Sequence, residues 1–170
     1  LCKEAATRSG RVVAAVNFNS PGKVVIAGHT AAVDQAISLL KEAGAKRAMS
    51  LPVSAPFHTE LMTPAGERLA LVLADLVVRS PEIPVVHNVH AATESNPQKI
   101  KSLLVEQIYS PVQWTRCVET IAGTGVASIV ECGPGKVLSG LSSRIDKSLK
   151  SFSLEEHAEL LATLASLNQH

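Results

Sequence analysis

The chain has 170 residues, the length of one ordinary domain, and a formal net charge of +1 from 16 basic and 15 acidic side chains. Hydrophobic residues make up 46%, aromatic residues 3% and charged residues 18%, the last below the roughly 25% of soluble domains. This composition excludes intrinsic disorder and predicts a core of Ala, Val, Leu and Ile, while the near-neutral charge gives no global field to recruit nucleic acid or an anionic membrane.

Leu1-Cys2-Lys3-Glu4 has no initiator Met and no signal-peptide core and reads like the middle of a helix, so the chain is expected to begin partway through something larger. That helix is expected to close at Ser9-Gly10. Arg11–Asn17 alternates as a strand, Asn19-Ser20-Pro21-Gly22 is a turn signal, and Lys23–Gly28 is a second strand, together a hairpin. Thr30–Ala43 carries a helical apolar stripe ending at Gly44, and Arg47–Val53 reads as a third strand. The order strand-turn-strand-helix-strand is most of a split βαβ, or ferredoxin-like, unit whose first strand and most of whose first helix would lie before Leu1.

The second half has another rhythm. A helix is predicted over Pro64–Val78, with Ala65, Leu69, Val72, Leu73 and Leu76 on one face and Thr63 as its cap. A strand at Pro84–His90 precedes the loop Thr93–Pro97, and helices at Ile100–Ile108 and Val112–Ala122 are separated by Ser110-Pro111. The strand Ala127–Glu131 ends at Gly133-Pro134-Gly135. A helix over Lys136–Lys147, a strand at Ser151–Leu154 and a helix over Glu155–Leu167 complete the pattern. Strands alternating with helices predict an α/β fold with a parallel sheet. The longest apolar runs are broken by Asp75 and Arg79, so none approaches the roughly 20 residues that span a bilayer.

Cys2, Cys117 and Cys132 form no CxxC pair and read as buried small hydrophobes in a reducing compartment; no disulfide framework or metal site is expected. Gly133-Pro134-Gly135-Lys136 fails as a P-loop, because Val137 follows the lysine and position 130 is not glycine; Leu138 breaks the dinucleotide fingerprint. What remains is a strand-to-helix turn whose free amides can face a ligand. Of six histidines, His157 and His170 read as surface and His29 as a helix-entry residue. His87 and His90, three apart in a predicted strand, are expected on opposite faces. His58 differs, standing between a strand and a long helix, where α/β enzymes place working residues.

Four blocks in order carry a resemblance. They are Val16-Asn17-Phe18-Asn19-Ser20-Pro21-Gly22 with Val24–Gly28, Leu51-Pro52-Val53-Ser54-Ala55-Pro56-Phe57-His58 with Leu61-Met62, Tyr109-Ser110-Pro111-Val112-Gln113-Trp114, and Glu131–Leu138. Over about residues 1–150 the chain resembles the carboxy-terminal half of the malonyl-CoA:acyl carrier protein transacylases of bacterial fatty acid synthesis. The resemblance implies part of an α/β-hydrolase-like acyltransferase domain, residues 55–170, with an incomplete ferredoxin-like small subdomain, residues 1–54. It implies a cytoplasmic Ser-His ping-pong acyltransferase whose partners are malonyl-CoA and acyl carrier protein. Coenzyme A thioester enters as substrate, and no cofactor, nucleic acid or membrane partner is expected.

The resemblance further implies that His58 is the acid-base and that the backbone carbonyl of Gln107 holds its other nitrogen. Asn17 and Asn19 fall in the segment lining the approach to the substrate; a turn role is their structural alternative. Phe57 stands where bulk selects malonyl over α-branched acyl groups, with a packed core ring as the alternative. No Gly-x-Ser-x-Gly elbow occurs in the sequence and neither Arg8 nor Arg11 matches the family's carboxylate clamp, so the serine is expected in a missing amino-terminal half and the chain alone is expected to be inactive. A polyketide synthase acyltransferase domain is the neighbouring reading, and a non-catalytic carrier-protein-binding fragment is the alternative of another class. Carrier docking would use basic side chains, with Lys46, Arg47, Lys99, Lys101, Arg116 and Lys136 as candidates.

Overall fold

The computed structural model describes residues 1–167, and His170 lies outside them. Helix α1 (Cys2–Ser9) is closed by Gly10, as its sequence implied. Strand β1 (Val13–Ser20) pairs antiparallel with β2 (Lys23–Gly28), Ser20 facing Lys23 across a Pro21-Gly22 loop. The first strand thus runs three residues past its predicted end, and Asn17 and Asn19 are strand residues, not turn residues. Gly28 allows β2 to end against β1, since a Cβ there would lie 2.1 Å from the Val12 carbonyl oxygen. Helix α2 (Thr30–Glu42) packs back on the hairpin. Ala5, Val13, Ala32, Ala36 and Leu39 form a core in which three alanines let the two helices approach closely.

Residues 47–53, predicted as a strand, form none. An alternating pattern becomes a strand only when a neighbour takes up its backbone groups. Among the described residues no strand lies beside this segment, whose one backbone bond runs from Val53 N to the Leu51 carbonyl.

A 3-10 turn (Glu60–Met62) leads into α3 (Thr63–Ala74). Thr63 does not cap this helix, because its hydroxyl donates instead to the Glu60 carbonyl at 2.7 Å. The helix stops four residues early: Asp75 ends it, and the β-branched Val77 and Val78 that follow precede Pro81. Of the predicted stripe only Leu73 is buried; Ala65 and Leu69 are half-buried, and Val72 and Leu76 stand exposed.

The strand expected at Pro84–His90 shrinks to β3 (Val86–His87), paired with β4 (Ala92–Thr93) across a tight turn. The turn brings the His87 and His90 rings edge to face with centroids 6.0 Å apart, where a longer strand would have separated them. Asn96 caps α4 (Pro97–Glu106) by accepting from the amides of Gln98 and Lys99, which starts the helix three residues before the apolar pattern does. Helix α5 (Trp114–Ala122) follows.

Strands β5 (Ser128–Glu131) and β6 (Lys150–Ser153) pair in parallel, joined through α6 (Val137–Ile145), and α7 (His157–Leu167) packs on β6. The described fold is therefore mixed α/β with three two-stranded sheets, of which only β5-β6 is parallel. Cys117 is buried and Cys2 half-buried, but Cys132 is exposed, contrary to its reading as a buried hydrophobe. Among the described residues no helix is long and apolar enough to cross a membrane.

The Gly133–Gly135 turn does not leave the first amides of α6 free. The Glu131 carboxylate accepts from Leu138 N at 3.1 Å and from Ser139 N at 2.8 Å. Lys136 pairs with Glu159 of α7, whose carboxylate also accepts from the Ser153 hydroxyl at 2.8 Å. The turn is thus tied at both ends by its own side chains. Partial burial pushes the Glu131 carboxyl up, but the hydrogen bonds from Ser139 and Leu138 outweigh it and hold the group below its ordinary value. A carboxylate depressed in the folded state adds stability above its unfolded range, and that stability is lost as pH falls through the folded value. Glu131→Gln is therefore expected to lower stability at pH 7 and to flatten the decline between pH 7 and pH 3, measured by urea unfolding; an unchanged acid slope would refute the clamp.

Candidate active site

His58 sits in a loop that its own neighbours force into shape. Its φ is 62°, in the left-handed region, and among the described non-glycine residues only Ala91 shares this. Such a backbone costs about 1–3 kcal/mol and persists only where the surroundings over-determine it. Pro56 stiffens the approach, and the Thr59 hydroxyl donates to the Pro56 carbonyl at 2.6 Å, closing the loop beneath His58.

The imidazole is half-buried, and Nδ1 lies 2.9 Å from the backbone carbonyl oxygen of Gln107. A carbonyl oxygen can only accept, so Nδ1 carries the hydrogen and, in the neutral ring, Nε2 carries the lone pair. Gln107 is the C-cap of α4, φ −61°. The last carbonyls of a helix have no partner within it and carry the negative end of its dipole. That end favours an N–H donor and any positive charge that develops on the ring. No other hydrogen bond to the imidazole occurs among the described residues, so Nε2 is left open to a reacting group.

Just after Gln107 the chain turns and joins β1. Val112 N donates to the Val16 carbonyl at 2.7 Å, and Phe18 N donates to the Val112 carbonyl at 2.9 Å, a parallel bridge opposite Asn17. The Thr115 hydroxyl donates to the Phe18 carbonyl at 3.0 Å. Residues 107–112 thus link His58 to the strand that carries Asn17 and Asn19, both half-buried. The structure brings His58 and Gln107 into direct contact, and ties the two asparagines to them only through this segment. Phe57 is 49% exposed, so it is not a packed core ring. Met49, Leu51 and Val53 are exposed on the same stretch of chain.

Several supports escaped sequence reasoning. Thr59 is 2% exposed, and its spacing of three from Pro56 is the one signal that could have exposed it. Val112, the predicted start of a helix, serves instead as a strand partner. Gly66 of α3 lies under the Tyr109 ring, where a Cβ would come within 2.8 Å of it.

Of the basic candidates, Lys99 pairs with Glu94 and Lys136 with Glu159, while Lys101 donates to the Ala74 carbonyl and Arg47 to the Met49 sulfur; Lys46, Arg47, Lys101 and Arg116 have no carboxylate partner among the described residues. No group of three or more His, Cys, Asp and Glu side chains suited to a metal occurs among the described residues. A cleft of about 670 Å³ opens between Arg11, His29 and Glu60, but His58 does not line it.

A family model described as an acyl transferase domain matches residues 2–166. The chain is 51% identical over 163 residues to the malonyl CoA-acyl carrier protein transacylase of Escherichia coli (strain K12), covering 96% of this chain and 52% of that protein. It superposes on the acyl-carrier-protein S-malonyltransferase of Burkholderia pseudomallei 1710b with a TM-score of 0.92 at 49% identity, covering 96% of this chain and 53% of the other. It also superposes on a malonyl-transacylase solved in complex with its type II polyketide acyl-carrier protein, with a TM-score of 0.93 at 46% identity, covering 97% and 53%. The chain spans about half the length of the relatives it matches.

Because the acceptor for Nδ1–H is main chain, Gln107→Ala is expected to preserve the Nδ1–H tautomer of His58. Imidazole nitrogen chemical shifts check this; conversion to the Nε2–H tautomer would mean that the glutamine side chain, not its carbonyl, orients the ring.

Proposed function

The chain belongs to the acyl transferase domain family, and we propose that the full-length protein transfers a malonyl group from coenzyme A to the phosphopantetheine thiol of an acyl carrier protein. The observation that carries this reading is the bond from His58 Nδ1–H to the Gln107 carbonyl, which leaves Nε2 with the lone pair and with no hydrogen-bond partner among the described residues. The nucleophile is a serine outside these 170 residues, since no Gly-x-Ser-x-Gly elbow occurs within them.

The proposed reaction has two halves. His58 Nε2 takes the serine proton as the serine oxygen attacks the thioester carbonyl, and the imidazolium then protonates the departing coenzyme A thiolate. In the return half Nε2 takes the proton of the carrier thiol, whose sulfur attacks the acyl-serine, and the serine oxygen leaves with that proton. The Gln107 carbonyl steadies the imidazolium in both halves without adding a full negative charge. Coenzyme A is carried in and out as substrate, so the reaction needs no cofactor.

Asn17 and Asn19 would line the approach of the pantetheine arm, held there by the Val112 bridge. Phe57 would close the space that an α-methyl group needs; its exposed ring is free to take this role. An acidic carrier would dock on Lys46, Arg47, Lys101 and Arg116, the candidates that have no carboxylate partner among the described residues. Residues 1–54 form the small subdomain in this reading and residues 55–170 belong to the large one, with action in the cytoplasm.

Three outcomes test the proposal. In the full-length protein, His58→Ala is expected to lower malonyl transfer about 10²–10⁴-fold, the usual worth of an acid-base. Phe57→Ala is expected to shift selectivity toward methylmalonyl-CoA by roughly 1–3 kcal/mol in kcat/KM. The 170-residue chain alone, incubated with malonyl-CoA, is expected to gain no malonyl adduct by mass spectrometry. Near-normal turnover by His58→Ala would sink the reading, and binding of carrier protein without any transfer by the full-length protein would favour the non-catalytic alternative.

A further inference from the structure

The Thr59 side chain is almost fully buried, 2% exposed, although it follows a half-buried histidine in a loop whose other members reach solvent. A buried hydroxyl must find a partner, and this one donates to the Pro56 carbonyl at 2.6 Å, at the short end of the range for such bonds. The ring so closed contains His58, the loop's one left-handed residue. On its other side the Thr59 carbonyl accepts from Met62 N at 2.9 Å and starts the 3-10 turn that runs into α3. Thr59 is therefore anchored both to the loop before it and to the helix after it, and His58 hangs between those anchors.

We infer that Thr59 is a positioning residue that holds the His58 backbone in its left-handed conformation and thereby aims Nδ1 at the Gln107 carbonyl. The inference rests on the reading of His58 as the acid-base but makes a separate demand, that the hydroxyl and not the methyl group does the holding. Without the Thr59 bond the backbone at 58 relaxes toward negative φ. The imidazole then swings from a carbonyl that sits on a different element, 49 residues along the chain. A base misplaced by about 1 Å loses rate while substrate affinity is left largely intact.

The test uses the full-length protein with Thr59→Val, which keeps the shape and removes the hydroxyl, and Thr59→Ser, which keeps the hydroxyl and removes the methyl group. Thr59→Val is expected to lower kcat for malonyl transfer about tenfold with KM changed less than twofold. It is also expected to convert a measurable share of His58 from the Nδ1–H to the Nε2–H tautomer in imidazole nitrogen spectra. Thr59→Ser is expected to keep both properties within about twofold of the unmodified protein. The inference is overturned if Thr59→Val retains its kcat and tautomer, or if Thr59→Ser falls as far as Thr59→Val, which would assign the position to packing. Should Thr59→Val fail to fold, Thr59→Ser alone decides through the same two readouts. If the unmodified protein transfers no malonyl, the functional reading fails by itself, and the tautomer comparison still judges Thr59.

Discussion

One backbone carbonyl, left over where a helix runs out, organises the candidate site. Helix α4 ends at Glu106, and geometry denies its last carbonyls a partner within the helix. Gln107 presents one of them to His58 Nδ1–H at 2.9 Å, which settles the tautomer of the ring and frees its other nitrogen. The same stretch of chain then pairs with β1 through Val112, so the acceptor is held by the hairpin as well as by the helix. The histidine, the helix end and the strand bearing Asn17 and Asn19 are in this way one connected framework, although their residues are far apart in sequence.

The framework has an energetic cost at its centre. A left-handed histidine costs about 1–3 kcal/mol. A single hydrogen bond returns about 0.5–1.5 kcal/mol net, so the bond to Gln107 offsets only the lower part of that cost. The loop needs its second tie, from Thr59 to Pro56, and the rigid φ of Pro56 to offset the remainder. This division also accounts for a loop that is tightly bonded and yet half-open to solvent: its hydrogen bonds involve Thr59 and His58, and Phe57 is left exposed.

The elements that sequence patterning located well are those whose signals are local and whose partners lie nearby in the chain. The α1–β1–β2–α2 unit followed its alternation, its Pro-Gly turn and its alanine-rich stripe because all four elements bury one another. Where patterning went astray, no nearby element among the described residues takes up the pattern. Residues 47–53 have strand composition but no strand beside them among the described residues, and the predicted face of α3 leaves Val72 63% exposed. Both observations accord with a chain that spans about half the length of its relatives, because apolar patterning records the surface that a whole fold buries.

The site shows the same division between what a residue type announces and what geometry decides. His58 was legible as a candidate because a histidine between a strand and a helix is chemically conspicuous, and family likeness pointed to position 107. Thr59 and Val112 were not legible, since a threonine after a histidine and a valine after a proline have many ordinary uses. Their roles come from bonds to Pro56 and to Val16 and Phe18 that exist only in the folded chain. The use of a carbonyl in place of a carboxylate follows the same logic. A carboxylate would orient the ring and also add a full charge beside it; a helix-end carbonyl orients it with a partial charge of fixed direction. The ring therefore keeps one tautomer, with Nδ1–H held and the lone pair on Nε2, which is what the proposed acid-base role of His58 asks of it.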